Sequence, residues 1–509
     1  MQLGFVIDHS RCIGCHACTV ACKAENDVPV GNFRTWVKYT ESGTFPEVRR
    51  SFAVLRCNQC TNAPCVTICP VHALEKREDG IVDVDPDRCI GCKSCMQGCP
   101  YDALYLNEDS GTAQKCHFCA HRTEVGLAPA CAVVCPTEAI IPGDFDDPAS
   151  LVSELRSTGK LAARKTEAGT GPNVLYNEAA PAGLDPSLTH AGSGFLWANQ
   201  LPGVQLDAHE FEAAERHASA RTVYDVEHPP LWGSKVSAYL WTKSVSAGLF
   251  LTGLWFLPTF GSGGAPLMWR LGLVLSLLML GVTTVLLVAD LKRPERFLFI
   301  LIHGNWNSWL TRGSIVLMAY GALLSTWLAL DLLGRRPDGW GSALLATTTA
   351  IAALATAVYT AWLFAQAKGR VLWMRRGLAL ELAVHAALAG VAAWTLLAVA
   401  FGATAHPRLG VLRALAVTLA AAQLALSWAA PRMAPAKREQ EYERVYRLIA
   451  RGPFATRHRW IRAMTVVTLV LFAVPGSWIP WSAAAVLALV MLALEQDTLV
   501  RAGQAASIS

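Results

Sequence analysis

Residues 88–100 read RCIGCKSCMQGCP, a run that places four cysteines in the spacing Cys-x2-Cys-x2-Cys-x3-Cys-Pro. Residues 11–22, RCIGCHACTVAC, repeat both this spacing and the opening RCIGC. Three cysteines at such intervals can hold three corners of a cubane cluster in one tight loop, and the fourth ligand must then come from elsewhere. Since such runs occur in pairs that exchange their fourth cysteine, the repeat predicts iron–sulfur clusters in residues 1–150.

Two longer groups complete the pattern, so that four groups of four account for all 16 cysteines. The second group, from Cys57 to Cys69, has four residues in its middle gap, and the fourth, from Cys116 to Cys135, has eleven. Zinc is the alternative metal because CxxC pairs also form zinc sites, but zinc does not explain the cysteine triplets. Three groups end in Cys-Pro, whereas a lysine follows Cys22. The candidate metal ligands are Cys12, Cys15, Cys18, Cys22, Cys57, Cys60, Cys65, Cys69, Cys89, Cys92, Cys95, Cys99, Cys116, Cys119, Cys131 and Cys135.

The composition divides the 509 residues into two unlike parts. No cysteine follows Cys135, whereas long apolar runs dominate from about Lys235 onward; overall, 53% of the residues are hydrophobic and 16% are charged. This composition excludes a simple soluble enzyme, and a net charge of +5 is too small to indicate nucleic-acid binding. The N-terminal stretch shows no apolar signal region and no twin arginine, so we expect a reducing compartment in which the thiols stay available as metal ligands.

The apolar runs predict eight membrane-spanning helices, since one span needs about 20 mostly apolar residues. Buried helices of a large soluble core are the alternative, although such helices seldom follow one another so closely with so few charges. Loops on the side of both termini hold 17 lysines and arginines and the opposite loops hold 5. The positive-inside rule therefore places the cysteine region on the cytoplasmic side of the inner membrane. The predicted spans are 236–258, 267–290, 311–333, 342–365, 378–402, 409–430, 461–475 and 481–499.

The segment between the two parts, residues 151–230, is rich in Ala, Gly and Pro and shows no clear periodicity. Such a composition is typical of an extended linker, and we expect one short helix near 208–220. The predicted domains are therefore a cysteine domain over 1–150, a linker over 151–230 and a membrane domain over 231–509.

Residues 1–150 resemble the four-cluster iron–sulfur subunits of molybdopterin oxidoreductases of the dimethyl sulfoxide reductase and polysulfide reductase type. The likeness rests on the four cysteine groups. It implies an α+β ferredoxin-like fold with four [4Fe–4S] clusters, in which the first group pairs with the fourth and the second with the third. The implied ligand sets are Cys12, Cys15, Cys18 and Cys135; Cys22, Cys116, Cys119 and Cys131; Cys57, Cys60, Cys65 and Cys99; and Cys69, Cys89, Cys92 and Cys95.

The C-terminal half is similar to the eight-helix, all-α, polytopic quinone-reactive membrane anchors of the same reductases. Fusion of two subunits that are normally separate departs from the usual family pattern. The segments that carry the likeness are 232–243 (WGSKVSAYLWTK), 290–296 (DLKRPER), 308–313 (SWLTRG), Tyr359-Thr360, Lys368-Gly369-Arg370 and 500–504 (VRAGQ).

Together the two likenesses imply the electron-transfer and membrane-anchor subunit of a respiratory complex. Such a subunit passes electrons between a molybdopterin-containing catalytic subunit and membrane menaquinone or ubiquinone. Nothing in the sequence resembles a molybdopterin-binding domain or a catalytic triad, so we expect the chain itself to carry only the quinone reaction. A quinone-linked module of a complex without molybdenum, and a transporter with a regulatory iron–sulfur domain, remain alternatives.

Tyr359 is the first candidate quinone ligand. It lies nine residues before Lys368, and so about 13 Å inside the cytoplasmic boundary at 1.5 Å per residue. Tyrosines of an interfacial belt, the alternative, lie nearer the headgroups. The resemblance also places the quinone-binding tyrosine in this motif. His228, just before the first span, is a second candidate by family position, and an exposed loop histidine is its alternative.

Further ionisable residues within the predicted spans are candidates for proton transfer to a quinone, since charges there are costly. Lys243 lies about two turns into the first span, where snorkelling to the surface is the alternative. Glu381 and His385 share a face of the fifth span through their i, i+4 spacing. Glu495 and Asp290 add carboxylates in other helices, and helix-packing pairs are the alternative. Haem is not expected, because only His385 lies clearly inside a span and a b-type haem generally needs two axial ligands.

Overall fold

The computed structural model describes residues 1–197, 219–227, 229–254, 266–335, 339–401, 409–475 and 478–508. Its N-terminal part is a mixed α/β domain that carries the cysteines, and its C-terminal part is helical. The described strands are β1 (Leu3–Asp8), β2 (Thr35–Ser42), β3 (Arg49–Arg56), β4 (Leu74–Lys76), β5 (Val82–Val84), β6 (Leu104–Asn107), β7 (Thr112–Lys115), β8 (Ile140–Asp144), β9 (Ala162–Ala163), β10 (Val174–Asn177), β11 (Thr189–Trp197) and β12 (Ala220–Asp225).

The helices of the N-terminal domain are short, and those of the C-terminal part are mostly long. The described helices are α1 (Ala17–Glu25), α2 (Pro64–Ile68), α3 (Ser94–Gly98), α4 (Ala120–Thr123), α5 (Ala130–Val133), α6 (Leu151–Ser157), α7 (Pro181–Leu184), α8 (Ser234–Gly253), α9 (Pro266–Ala289), α10 (Phe299–Ile302), α11 (Trp309–Leu332), α12 (Gly339–Gln366), α13 (Leu378–Ala400), α14 (Leu409–Ala429), α15 (Glu439–Ala450), α16 (Ala455–Ala473) and α17 (Trp478–Ala505).

Two four-stranded sheets frame the cysteine region. The first has the strand order β8-β1-β10-β9, and its central strand β1 buries Phe5 and Ile7 completely. The second has the order β11-β12-β2-β3 and is built on the long β2–β3 hairpin. Two smaller hairpins, β4–β5 and β6–β7, lie between the cysteine groups. The cysteine groups therefore occupy the turns that follow strands, as Cys57 follows β3 and Cys116 follows β7.

The segment predicted to be an extended linker instead contributes strands to both large sheets. Strand β10 pairs in parallel with β1, where Val174 lies opposite Phe5, and β12 pairs antiparallel with β2, where Thr222 lies opposite Thr40. The linker prediction was wrong because the partners of these strands lie near the start of the chain, and local composition does not report such distant pairing. Most of the predicted short helix near 208–220 lies outside the described residues, which resume at residue 219. Strand β12 begins at Ala220.

Six helices among the described residues are long and apolar enough to cross a membrane, namely α9, α11, α12, α13, α14 and α17. The other two predicted spans correspond to α8 and α16, which are more polar. Helix α16 begins with a charged turn that includes Arg457 and Arg459. Helix α8 carries Lys243, Ser244 and Ser246, all fully buried among neighbouring helices. The number of eight spans therefore stays a prediction.

One hydrophobic core joins the two parts of the chain. It extends from Ile68 and Tyr101 in the cysteine domain to Trp232, Phe364 and Trp373 in the helical part. The Trp373 ring stacks on Trp232 and on Phe364, with centroid distances of 5.3 and 4.6 Å. The cysteine domain is thereby packed against one end of the helices, on the side whose loops are rich in lysine and arginine.

Candidate functional site: four thiol sites and a membrane cavity

Two of the predicted ligand sets each line one small cavity. The thiols around the first cavity, site A, are Cys12, Cys15, Cys18 and Cys135. The thiols around the second, site B, are Cys22, Cys116, Cys119 and Cys131. The structure thus brings the first and fourth cysteine groups together, and each site takes its last thiol from the other group.

The second and third groups are exchanged in the same way. Site C comprises Cys57, Cys60, Cys65 and Cys99. Site D comprises Cys69, Cys89, Cys92 and Cys95. The Cys99 thiol is within electrostatic range of Cys57, and the Cys69 thiol is within range of Cys89. Each of these sites therefore also contains a thiol from the partner group.

The four sites follow one another in the order A, B, C, D. Site A reaches the surface, where Cys15 is exposed, and site D faces the helical part through Cys92. Thiols of neighbouring sites lie within electrostatic range of one another. The pairs are Cys18 with Cys131, Cys116 with Cys57, and Cys65 with Cys95.

The repeated RCIGC loops have the same backbone conformation. Gly14 and Gly91 have φ angles of +72° and +68°, in the left-handed region that glycine adopts without strain. His16 and Lys93, which follow the second cysteine of each loop, have φ angles of 60° and 64°. The helices α1 and α3 begin directly afterwards. Helix α1 carries the third and fourth cysteines of its group, whereas α3 carries the third and ends just before the fourth, Cys99. The sequence repeat is therefore a structural repeat that aims the thiols of each triplet at one site.

The donor sets of sites A to D fit iron–sulfur clusters. All the cysteines are free of disulfide bonds. Burial raises the pKa of the Cys18 thiol to about 11, so this thiol keeps its proton until a metal displaces it. Backbone N–H groups also donate to ligand sulfurs, and such hydrogen bonds tune the reduction potential of a bound cluster. These bonds run from Ala73 to Cys69 at 3.3 Å, from Ala113 to Cys89 at 3.4 Å and from Ala139 to Cys135 at 3.3 Å.

The helical part docks on the loops of site D. Gln97, between Cys95 of site D and Cys99 of site C, donates to the Gln504 side chain at 2.8 Å and accepts from the Arg370 guanidinium at 2.7 Å. A Cβ at Gly369 would lie 2.4 Å from the carbonyl oxygen of Cys99, so only glycine allows this approach. Three helical-part side chains also donate to site D carbonyl oxygens: Asn305 to Cys69 at 2.8 Å, Arg296 to Cys89 at 3.0 Å and Trp232 to Cys92 at 3.3 Å.

A cavity of about 430 Å³ lies directly beside site D. Its lining includes Cys92 of site D together with Asp290, Tyr239 and Tyr359. The rest of the lining is mostly apolar and comes largely from α9 and α11. A largely apolar cavity with a few polar groups is the usual form of a binding site for a small organic ligand.

Tyr359 is held in the cavity wall by close neighbours and is almost fully buried. The Lys243 ammonium lies 4.6 Å from the centroid of its ring, a cation–π contact, and donates a hydrogen bond to the hydroxyl of Thr360. The snorkelling alternative for Lys243 is therefore wrong, because the side chain is fully buried and finds its partners inside the helical part.

Asp290 forms an ion pair with Lys93 of the site D loop, with Nζ and Oδ2 3.0 Å apart. Lys93 follows Cys92 directly, and Asp290 follows the last residue of α9. The pair therefore joins the cavity lining to the cysteine loop and places two opposite charges beside both. Sequence reasoning named Asp290 as a titratable group but not its partner, which lies in a distant segment.

The other predicted proton carriers form a separate cluster. The Nε2 atom of His385 lies 3.4 Å from the Glu495 carboxylate and 3.9 Å from that of Glu381. Arg375 pairs with Glu381 at 2.5 Å. None of these side chains lines the cavity that the described residues form, so the structure brings them together but not onto Tyr359. His228 lies outside the described residues.

Sequence reasoning missed Tyr239 as a cavity residue. It precedes Lys243 by one helical turn in the segment 232–243, so the i, i+4 spacing of the two residues was the available signal. The structure places both near Thr360: Lys243 donates to its hydroxyl, and the Tyr239 side chain lies close to it.

Two protein families match the chain. The 4Fe-4S dicluster domain matches residues 48–145, which include the last three cysteine groups. The polysulphide reductase, NrfD, family matches residues 223–507, more than half of the chain. This second match contains both Asp290 and Tyr359.

The N-terminal part is also similar to known reductase subunits. The B subunit of tetrathionate reductase from Salmonella typhimurium is 45% identical over 200 residues, which are 38% of this chain and 80% of the relative. The iron-sulfur B subunit of a putative dimethyl sulfoxide reductase from Halobacterium salinarum is 37% identical over 257 residues, or 44% and 94% of the two proteins. The B component of polysulfide reductase from Wolinella succinogenes is 39% identical over 177 residues, or 34% and 93%. The protein is thus a 4Fe–4S electron-transport protein with a membrane domain, and it belongs to the polysulphide reductase, NrfD, family.

Proposed function

We propose that this chain is the electron-transfer and membrane-anchor subunit of a respiratory molybdopterin oxidoreductase complex. It passes electrons between a catalytic partner and the membrane quinone pool through four [4Fe–4S] clusters at sites A to D. The observation that carries the proposal is that Cys92 belongs both to site D and to the lining of the cavity that contains Tyr359. A redox ligand in that cavity would therefore lie next to a residue that holds the last cluster.

The protein holds the four sites in a fixed order and shields the inner sites from water. When bound, the clusters supply one-electron transfer. Cys57, Cys65, Cys95 and Cys131, which lie where neighbouring sites meet, are all buried. Their burial excludes water from the inner sites. Cys15 of site A is the one exposed thiol of the sixteen, which are all described, so site A is the end that a partner can reach.

The surface around site A supports a protein partner at this end. Ile13, Val20 and Val133 lie beside the cysteines of sites A and B and are 58%, 64% and 64% exposed. The helices that carry Val20 and Val133 pack against each other, and contiguous exposed apolar residues mark protein interaction surfaces. The similar proteins are named as subunits of tetrathionate, dimethyl sulfoxide and polysulfide reductases. On this proposal the partner is a molybdopterin-containing catalytic subunit.

The cavity supports a quinone as the membrane substrate. Its apolar walls from α9 and α11 suit an isoprenoid chain, and the hydroxyls of Tyr239 and Tyr359 can donate to a quinone carbonyl. Lys243 acts on the quinone through Tyr359, because it touches the ring and not the cavity. Menaquinone and ubiquinone both meet this description.

Protons for the quinone reaction are proposed to exchange on the side of the cysteine domain. Asp290 is the carboxylate of the cavity lining, and it lies next to site D. Glu381 and His385 are retained as a second proton-carrying group. A contact supports their link to Lys243: Gln496, beside Glu495, donates to the hydroxyl of Ser244 at 3.2 Å, and Ser244 follows Lys243.

The proposed arrangement has eight spans in the inner membrane with the cysteine domain in the cytoplasm. Helices α8 and α16 pack among the six apolar helices, and this packing supports the proposal that they are the remaining two membrane spans. The loops rich in lysine and arginine contact the cysteine domain directly, since the backbone N–H of Lys292 donates to Gly91 and Lys292 pairs with Glu108 at 2.6 Å. Protease protection of inverted membrane vesicles tests this: the cysteine domain should be digested in inverted vesicles and protected in right-side-out ones.

Purification of the intact complex tests the proposed function. The full chain is isolated anaerobically from membranes of its host, the co-purifying proteins are identified, and molybdenum is measured. We expect a second large subunit and molybdenum in stoichiometric amount. A quinone-reactive complex without molybdenum would assign the chain to another redox enzyme. Transport of a solute that quinone analogues do not affect would contradict the quinone proposal.

A further inference from the structure

Two buried cations lie between the thiol sites. Arg56, the last residue of β3, is fully buried, and so is Lys115, the last residue of β7. For both side chains the strongest electrostatic partners are cysteine thiols, not carboxylates. A buried charge without a counter-charge is costly, so these cations need the negative charge of deprotonated, metal-bound thiols.

Arg56 faces sites A and B together. Its Nη1 atom donates to the Cys131 sulfur at 3.2 Å, and its side chain lines the cavity of site B. Cys18 of site A lies within its electrostatic range. The guanidinium also lies 4.4 Å from the centroid of the Phe5 ring, which holds it in place. Its Nε and Nη2 atoms are buried and have no hydrogen-bond partner among the described residues, so two donors remain for sulfur acceptors.

Lys115 lies between sites B and C, but its hydrogen bonds go to backbone carbonyls and not to a sulfur. Its ammonium donates to the backbone carbonyls of Val82 and, at 2.7 Å, of Cys116 in site B. Cys57 and Cys65 of site C are among its strongest electrostatic partners. The cation beside site D differs, because Lys93 is already paired with Asp290.

We propose that Arg56 is a counter-charge shared by sites A and B, that Lys115 is one shared by sites B and C, and that both raise the reduction potentials of the clusters they separate. This inference rests on the proposed occupancy of the four sites. One-electron reduction adds negative charge to a cluster that is already anionic, and a fixed buried cation stabilises the reduced form more than the oxidised form. The inner clusters would thus accept electrons although water is excluded from them.

The test uses the full-length protein, purified anaerobically as Arg56→Gln and Lys115→Gln variants, with redox titration followed by electron paramagnetic resonance. We expect Arg56→Gln to lower the potentials at sites A and B by about 59 mV or more, a tenfold change for a one-electron couple. Sites C and D should not change. Lys115→Gln should instead lower the potentials at sites B and C. The signals are assigned by their loss in the variants Cys12→Ser, Cys22→Ser, Cys57→Ser and Cys92→Ser.

Other results would decide against the inference or against the proposed function. Unchanged potentials in Arg56→Gln with full iron content would overturn it, and a shift at site B alone would overturn the sharing. If Arg56→Gln loses iron, the charge-conserving Arg56→Lys variant should retain iron. At a given potential, the ratio of reduced to oxidised cluster at sites A and B should then stay within twofold of the wild-type ratio. Loss of iron in Arg56→Lys as well would show that the shape of the side chain, and not its charge, is required. Fewer than four clusters in the wild-type protein would contradict the proposed function instead.

Discussion

Gly313 packs directly against the ring of Tyr359: a Cβ added at Gly313 would lie 2.2 Å from the Cε2 atom of that ring. Gly313→Ala should therefore displace Tyr359 within the cavity. We expect slower quinone turnover, measured with purified protein and a soluble quinol analogue, while the clusters remain reducible by dithionite. Gly410→Ala is the matched control, because nothing lies within 4 Å of a Cβ there. Equal turnover in the two variants would show that the position of Tyr359 does not matter.

Tyr359→Phe removes one hydroxyl and keeps the ring. If this hydroxyl binds the quinone, the loss should weaken quinone turnover by about 1–3 kcal/mol, the usual cost of a buried hydrogen bond. Steady-state kinetics with several quinone concentrations measure the effect. Tyr320→Phe is the control, since Tyr320 is also buried in the helical part and donates to Ser246 at 2.9 Å, outside the cavity lining. Wild-type kinetics in Tyr359→Phe would remove this residue from the site.

Cys135→Ser and Cys12→Ser should damage the same cluster, because both thiols line site A. The wild-type protein should contain about 16 iron and 16 acid-labile sulfide, four of each per cluster. Each variant should lose the same paramagnetic signal and about one quarter of the iron. If Cys135→Ser instead abolished the signal that Cys119→Ser abolishes, the crossed pairing of the cysteine groups would be refuted.

Asp290→Asn leaves the buried Lys93 ammonium unpaired beside site D. The net positive charge near this cluster then increases, so its reduction potential should rise while those of sites A and B stay constant. Redox titration of the signal that Cys92→Ser abolishes measures the shift. Asp331→Asn is the control, because Asp331 pairs with Arg270 at the opposite end of the helices, 2.7 Å away. A potential that does not move would mean that the Lys93 charge is already screened.

The stability of the N-terminal domain should fall in mild acid because of His9. Burial lowers the pKa of His9 to about 4, and its Nε2 accepts a hydrogen bond from the N–H of Val54 at 3.3 Å. Between pH 6.5 and 4 the unfolded protein takes up a proton that the folded protein does not, so stability is lost as the pH falls through this window. Denaturant unfolding should show a loss of about 1 kcal/mol from this residue between pH 7 and 5.5. His9→Gln keeps an acceptor but does not titrate, and should reduce the loss by that amount.

Local spacing indicated which thiols of the first and third groups lie together, because each of these triplets surrounds one site within a few residues. The fourth thiol of each site comes from a distant group, and only the family resemblance indicated its source. The structure places Cys135 with the first triplet and Cys69 with the third, as that resemblance implies.

The features that were not predicted from the sequence depend on contacts between segments that are distant along the chain. The strands β10 and β12 lie in a segment of linker-like composition, and their partners β1 and β2 were not visible in it. The spacing of Glu381 and His385 correctly predicted a shared helix face, but periodicity does not tell which neighbour that face meets. It meets Glu495 of α17, whereas the cavity with Tyr359 lies between other helices. Hydropathy likewise marked Lys243 as costly without revealing Thr360 as its buried partner.

The contacts that join the two parts have a consequence for the fused chain. Gln97 bridges Arg370 and Gln504, Trp232 stacks on Trp373, and β12 completes a sheet with β2. These noncovalent interactions join the parts in addition to the covalent connection between them. What the fusion adds is therefore stoichiometry: one round of translation yields one cluster domain and one membrane domain, so neither accumulates without the other.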